Sequence, residues 1–316
     1  MNNKHIIGFT AAITSIVFFA GCTKDVEVNL PDYPPQLAIY STVEMGNTIE
    51  AITGKSISIL KYNGNQDLYE YNAKIDIYTD GIFTETMEYF TGGSGQGNPG
   101  LGSHVVPEHG KTYTLKASAP GYSLVAEATA TMPSAVDITD VKRVVGARQL
   151  NGTKDEITIT FNDPGPTKDY YTVVFRSAGF DSLYGSNYMD YICVTSTDPS
   201  IEKTANTDII PIAGEDDCIY GEIFFRDDLF NGTTKQIKFY IPTEQMEPAY
   251  DFNGNLAYPT VTLSHVSEDY LRFRKTAEYV QNNQGNPFAE PSNVYSNVKN
   301  GIGIFTIASG DTREIK

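Results

Sequence analysis

The chain has 316 residues with 39 acidic and 23 basic side chains, a formal charge of −16 at neutral pH. A surface of that sign repels phosphate backbones and anionic headgroups, which excludes nucleic acid and polybasic docking on a membrane. An apolar content of 40% over this length suffices for two domains, each with a core of its own.

The first element is a leader. Lys4 and His5 precede an apolar run from Ile6 to Ala20, and a small residue, Gly21, stands before Cys22. A basic start, a short apolar stretch and a small-residue cut site describe a secretory signal peptide over residues 1–21. The run falls short of the ~20 apolar residues that a transmembrane helix needs. Phe19-Ala20-Gly21-Cys22 reads as a lipobox, with Phe19 where Leu is commoner, so Cys22 is the expected lipid anchor. Acyl chains contribute about 0.8 kcal/mol per buried CH₂, and more than one chain anchors a protein stably. Behind the cysteine, Lys24, Asp25 and Glu27 are similar to the export signal of Bacteroidota surface lipoproteins, although Val26 interrupts the acids. Asn29 to Pro35, with three prolines, makes residues 22–35 an extended tether. The expected address is the outer membrane, lipid-anchored and facing the cell surface. Cleavage would remove Lys4 and leave a charge of −17.

Beyond the tether the pattern is that of strands. Period-two alternation recurs in short runs between turn residues, the mark of sandwiches and barrels. Ile57 and Ile59 make one run, Ala73, Ile75 and Ile77 the next, then Thr112–Ala117 and Tyr122–Thr131. Ala119-Pro120-Gly121 predicts a hairpin between the last two, since Pro120 presets φ and Gly121 accepts a positive one. Residues 36–132 therefore read as an immunoglobulin-like or carboxypeptidase-regulatory-like sandwich. Met132-Pro133-Ser134 is the expected boundary, because Pro133 ends strand pairing.

A second β-rich domain is expected over 133–316, with runs at Ile157–Phe161, Tyr170–Phe175, Ile219–Phe225, Ile237–Ile241 and Val261–Leu263. Within it Cys193 and Cys218 form an isolated pair. In an oxidising compartment that pair is most simply a disulfide, contributing on the order of 3 kcal/mol by chain entropy. Two buried thiols or a metal pair are the alternatives, and the spacing fits no zinc pattern. One C-terminal helix is predicted from Ser267, an N-cap followed by Glu268 and Asp269, with Tyr270, Phe273, Ala277 and Val280 at helical spacing. That stripe reads as a face packed on a sheet, Gly285 as the stop, and Arg272, Arg274 and Lys275 as a solvated face.

A tail signature follows. Asn286-Pro287-Phe288-Ala289-Glu290-Pro291, then Tyr295-Ser296-Asn297-Val298, then Gly301-Ile302-Gly303-Ile304-Phe305, resembles the Bacteroidota lipoproteins catalogued as domain of unknown function 4249. Asp228-Leu229-Phe230-Asn231-Gly232, Gly110-Lys111-Thr112-Tyr113 and the lipobox fit the same pattern; the Gly-rich 91–103 segment departs from it. The resemblance implies a non-catalytic accessory or ligand-capturing subunit of a TonB-dependent outer-membrane receptor. The alternative is a free-standing surface binding or adhesion module. Asn286, Pro287, Phe288, Glu290 and Pro291 fix an extended loop, Tyr295 and Asn297 follow it, and Gly301 and Gly303 allow close packing ahead of Phe305. The signature is expected to close the fold rather than hold a ligand.

No catalytic apparatus, cofactor or metal site is expected. The histidines after the leader are His104, His109 and His265, and they form no His-Glu-x-x-His motif. Gly92-Gly93-Ser94-Gly95-Gln96 misses a nucleophile elbow at Gln96, and Gly92–Gly102 lacks the Gly-Lys-Ser/Thr of a phosphate loop. Glu215-Asp216-Asp217 and Asp227-Asp228 carry oxygen ligands that calcium accepts, but without the spacing of an EF-hand loop; they read as solvated runs. Tryptophan is absent, which disfavours a glycan platform, and Tyr69, Tyr71, Tyr78 and Tyr89 read as half-buried strand residues.

Overall fold

A computed structural model describes residues 34–58, 61–90, 100–149, 152–181, 186–202, 218–251, 253–283 and 292–316. The leader, Cys22 and the Lys24, Asp25, Glu27 signal lie outside the described residues, as do Ile59, residues 91–99 and Asn286 to Pro291. Period-two alternation becomes strand wherever one face is apolar. The strands run β1 (Leu37–Glu44), β2 (Glu50–Lys55), β3 (Lys74–Thr79), β4 (Ile82–Thr86), β5 (Glu88–Phe90) and β6 (Gly100–Gly102). Next come β7 (Thr112–Ser118), β8 (Ala126–Thr131), β9 (Ile138–Arg148), β10 (Lys154–Asn162), β11 (Tyr170–Asp181) and β12 (Ser186–Tyr191). The series ends with β13 (Ile223–Arg226), β14 (Thr234–Pro242), β15 (Ala249–Tyr250), β16 (Leu256–Ala257), β17 (Thr260–Val266), helix α1 (Glu268–Asn282) and β18 (Ile302–Glu314). The protein is mainly β, as its alternation predicts.

A nine-stranded sheet in the order β12-β11-β17-β18-β1-β2-β6-β5, with β13 also on β11, is the backbone of the molecule. Its centre is β18, which changes partner along its length. Ile302 to Ala308 pair in parallel with Ala38 to Glu44 of β1, and Ser309 to Glu314 pair antiparallel with β17. Two smaller sheets pack on this one. β4-β3-β7-β8 closes a core of Leu37, Ile39, Ile75, Ile77, Leu115 and Phe305 among others, and β14-β10-β9 closes a second core rich in phenylalanine. The expected boundary at Met132-Pro133-Ser134 separates these two cores. It does not separate the sheets, since Val298, Phe305 and Ile307 complete the first core and residues 35–316 form one compact unit.

The 119–121 hairpin joins β7 to β8 as its turn residues predict, with Gly121 at φ 90°. Other expectations shift. Ile57 lies beyond β2 in a loop, and only the 126–131 part of the Tyr122–Thr131 run is strand. Ile219 makes an isolated bridge to Val194, and the strand begins at Ile223. Helix α1 starts where Ser267 caps it, the Ser267 hydroxyl accepting from the Tyr270 amide at 3.2 Å. It lies on the sheet face opposite the two cores, with Leu271 buried beside Tyr170, Phe224 and Val266. Its basic residues are not a free solvated face. Arg274 pairs with Glu222 at 2.8 Å, Lys275 with Glu202, and Arg272 lies 5.0 Å over the Tyr295 ring.

Candidate functional site

At one end of the second core, the loop from β10 to β11 meets the 3-10 turn Asp227–Leu229 that follows β13. Glycine permits the meeting. A Cβ on Gly165 would stand 2.5 Å from the Gly232 Cα, so the two segments touch backbone to backbone. The approach places the Gly232 amide 2.6 Å from Asp163 Oδ2, which also accepts from the Gly165 amide at 3.3 Å. Asp163 Oδ1 accepts from the Tyr171 hydroxyl at 2.6 Å.

Asp169 enters from the other end of the same loop. Its Oδ2 accepts from the Thr167 hydroxyl at 2.9 Å, and its Oδ1 lies 3.0 Å from His265 Nε2. His265 is brought there by sheet register, directly opposite Tyr171 on β17, with ring centroids 5.2 Å apart. The other ring nitrogen, Nδ1, lies 3.0 Å from the Ser134 carbonyl, which only accepts, so Nδ1 donates.

Asp227 completes the group. Carboxylate oxygens of Asp163, Asp169 and Asp227 all lie within 4.8 Å of one another, and the three residues are 6%, 5% and 1% exposed. Asp227 Oδ2 accepts from Asn231 Nδ2 at 2.7 Å; its Oδ1 is buried and has no donor. Burial first, then the charges of Asp163, Asp169 and Asp228, pushes the Asp227 carboxyl above the ordinary range, against a backbone hydrogen bond at Asp169. Burial and the Asp163 contact likewise hold the Tyr171 phenol far above its usual value. The expectation of a solvated Asp227-Asp228 run thus holds for Asp228, which is half-exposed, and fails for Asp227. Asp163 and Asp169 carried no sequence signal beyond framing a Pro-Gly-Pro turn between two strands.

A separate open trough of about 430 Å³ lies beside helix α1, where β18 changes partner. Glu44, Glu50, Glu222 and Tyr270 line it along with threonines of β1, β11 and β18. Glu222 is committed there, accepting from the Tyr270 hydroxyl and pairing with Arg274, which leaves Glu44 and Glu50 exposed.

The remaining sequence candidates fall elsewhere. Cys193 and Cys218 are joined as a disulfide, with Cα atoms 5.4 Å apart. Tyr295 donates its hydroxyl to Asp269 of helix α1 at 2.5 Å, and Asn297 spans from Asp269 to the backbone N–H and carbonyl of Phe305. A Cβ on Gly301 would stand 2.6 Å from the Leu37 carbonyl oxygen, and Gly303 has φ +116° against Ile39. These contacts bind the described part of the tail signature to helix α1 and β1. His104 sits exposed beside Glu85, and His109 contacts the Pro133 carbonyl at 2.6 Å. Tyr71 and Tyr89 are about half-exposed, Tyr69 and Tyr78 less so.

Among the described residues no helix is long and apolar enough to cross a membrane. Comparison with curated proteins finds no match. A family described as a domain of unknown function, DUF4249, matches residues 23–314, nearly the full length, and the chain belongs to that family.

Proposed function

We propose that this protein is a non-catalytic, lipid-anchored outer-membrane lipoprotein of Bacteroidota type. In this reading it serves a TonB-dependent transporter as an accessory subunit that captures ligand. The observation that carries the reading is the leader ending at Cys22 with Lys24, Asp25 and Glu27 behind it, followed by a short proline-containing tether and a compact β body. From Cys22 to Gln36 the chain is short enough to reach at most about 50 Å when fully extended. That reach keeps the body beside whatever shares its membrane. The exposed Glu44 and Glu50 of the trough favour a polar or cationic ligand, and the net charge would draw such a ligand toward the surface. The wild-type chain with a C-terminal tag, recovered from native outer membranes in mild detergent, tests this directly. The expected result is stoichiometric recovery of one TonB-dependent β-barrel. Recovery of the lipoprotein alone, under detergent that keeps known transporter complexes together, would replace this reading with a free-standing surface binder. A Cys22→Ala chain should lose both acylation and the membrane fraction.

A further inference from the structure

We infer that Asp163, Asp169 and Asp227 form a binding site for one divalent hard cation, with calcium the best fit. The distances suit it. Oxygens on opposite sides of one calcium ion stand roughly 4.6–5.2 Å apart, twice the 2.3–2.6 Å bond, and the three carboxylates fall within 4.8 Å of one another. The donor set is all oxygen, which selects calcium, magnesium or manganese over softer metals.

Hydrogen bonding points the same way. The lysines near the cluster in sequence pair elsewhere, Lys168 toward Asp228 and Lys235 with Asp198. Asp163 is well supplied by the Tyr171 hydroxyl and two backbone amides. Asp227 is not, for its Oδ1 is sealed from water and meets no donor. An unpaired buried carboxylate oxygen is costly, and a cation shared with its two neighbours supplies the missing partner. Access is short, since Thr167, Asn231 and Gly232, which hydrogen-bond to the cluster, are themselves exposed.

The test uses the full-length protein, purified in detergent, stripped with chelator and dialysed. Bound metal is counted by native mass spectrometry, and terbium is titrated with excitation through tyrosine. Tyr171 adjoins the site, and the chain has no tryptophan to compete. One calcium per chain is expected, with terbium emission that calcium displaces. Asp227→Asn should weaken binding by more than the roughly 10–100-fold that loss of a supporting outer-shell partner costs. Glu127→Gln, on β8 in the sheet of the first core, should bind as wild type does. Absence of stoichiometric metal and of terbium emission in the wild-type chain would overturn the inference. So would emission that survives Asp227→Asn, which would place the ion at another acidic run.

Discussion

The two cores of this protein are built from different materials. The first is mostly aliphatic, with Tyr113 and Phe305 as its buried rings. Ala117, Ala126, Ala128 and Ala130 line one side of it against Leu37, Ile39, Ile75, Ile77 and Leu115. Its buried polar groups are hydroxyls that settle locally, Ser41 on the Glu50 carbonyl at 2.6 Å and Thr53 on the Glu70 carbonyl at 2.7 Å. The second core stacks Phe161, Tyr171, Phe225 and Phe230 with centroids 5.2–6.2 Å apart, and it buries four carboxylates at its margins. Aliphatic side chains fill a gap between sheets and ask nothing more. A tyrosine and a histidine in an aromatic stack bring polar atoms that must be met, and the buried acids answer them. The first core therefore scaffolds, while the second can hold chemistry.

Strand β18 is where this contrast breaks most sharply, because it pairs with a strand of each core, β1 of the first and β17 of the second. Gly303 sits at φ +116°, and a Cβ there would be driven into the Ile39 carbonyl oxygen. Overpacking costs about 1–3 kcal/mol and forced backbone strain another 1–3, so Gly303→Ala should lose on the order of 4 kcal/mol. Chemical denaturation should then show probes in both cores falling together. A loss confined to the first core would mean that the halves unfold independently.

Within the cores, Phe161→Ala should cost roughly 3–5 kcal/mol and Ile77→Val only about 0.5–1.5. Both side chains are fully buried, and Phe161 touches three other rings. If Phe161→Leu, which keeps most of the volume and removes the ring, costs no more than Ile77→Val, the aromatic stack adds nothing beyond its volume, and the contrast between the cores reduces to size.

Helix α1 was legible because its signals are local: a capping serine, acids in the first turn, and a repeat that continues for several turns. The 119–121 hairpin was legible for the same reason. Strand β1 was not, since its inward positions Leu37, Ile39, Ser41 and Val43 are interrupted by a polar residue. The better alternation at Ile57 belongs to no sheet. Nothing local marks the parallel pairing of β1 with β18, which joins the two ends of the body. The acid cluster was hidden for a related reason. Asp163 and Asp169 stand some 60 residues before Asp227, and an aspartate bound for burial looks in sequence like any other.

A buried acid of a different kind offers a pH test of the second core. Asp155 is fully buried and satisfied, taking Arg143 Nε at 2.7 Å, the Thr243 hydroxyl at 2.6 Å and the Gly146 amide at 2.9 Å. Burial alone would raise its carboxyl, but those three donors and the Arg143 charge outweigh it and hold the group below the usual range. A folded value depressed below the unfolded value of about 3.9 contributes stability above that pH. The contribution fades as pH falls through the folded value. Asp155→Asn should therefore cost roughly 1.5–3 kcal/mol near neutrality, the range for hydrogen bonds to a charged group. It should also flatten the acid limb of stability against pH without abolishing it, since Asp76, Glu156 and Asp198 are held low as well. An unchanged acid limb would show that Arg143 and its neighbours stay satisfied without the charge.

The smallest effect isolates helix α1 from both cores. Ser267→Ala removes the one side-chain acceptor at the helix start, for a loss of about 1 kcal/mol. Because the helix packs on the face away from the cores, the loss should appear as faster amide exchange in its first turn. Exchange in β3 and β10 should stay unchanged. The Asp269 contacts to Tyr295 and Asn297 lie in that same turn. If fraying reaches Phe305, whose backbone Asn297 holds, then the tail signature transmits the helix's stability into β18, and the helix belongs to the scaffold rather than lying on it.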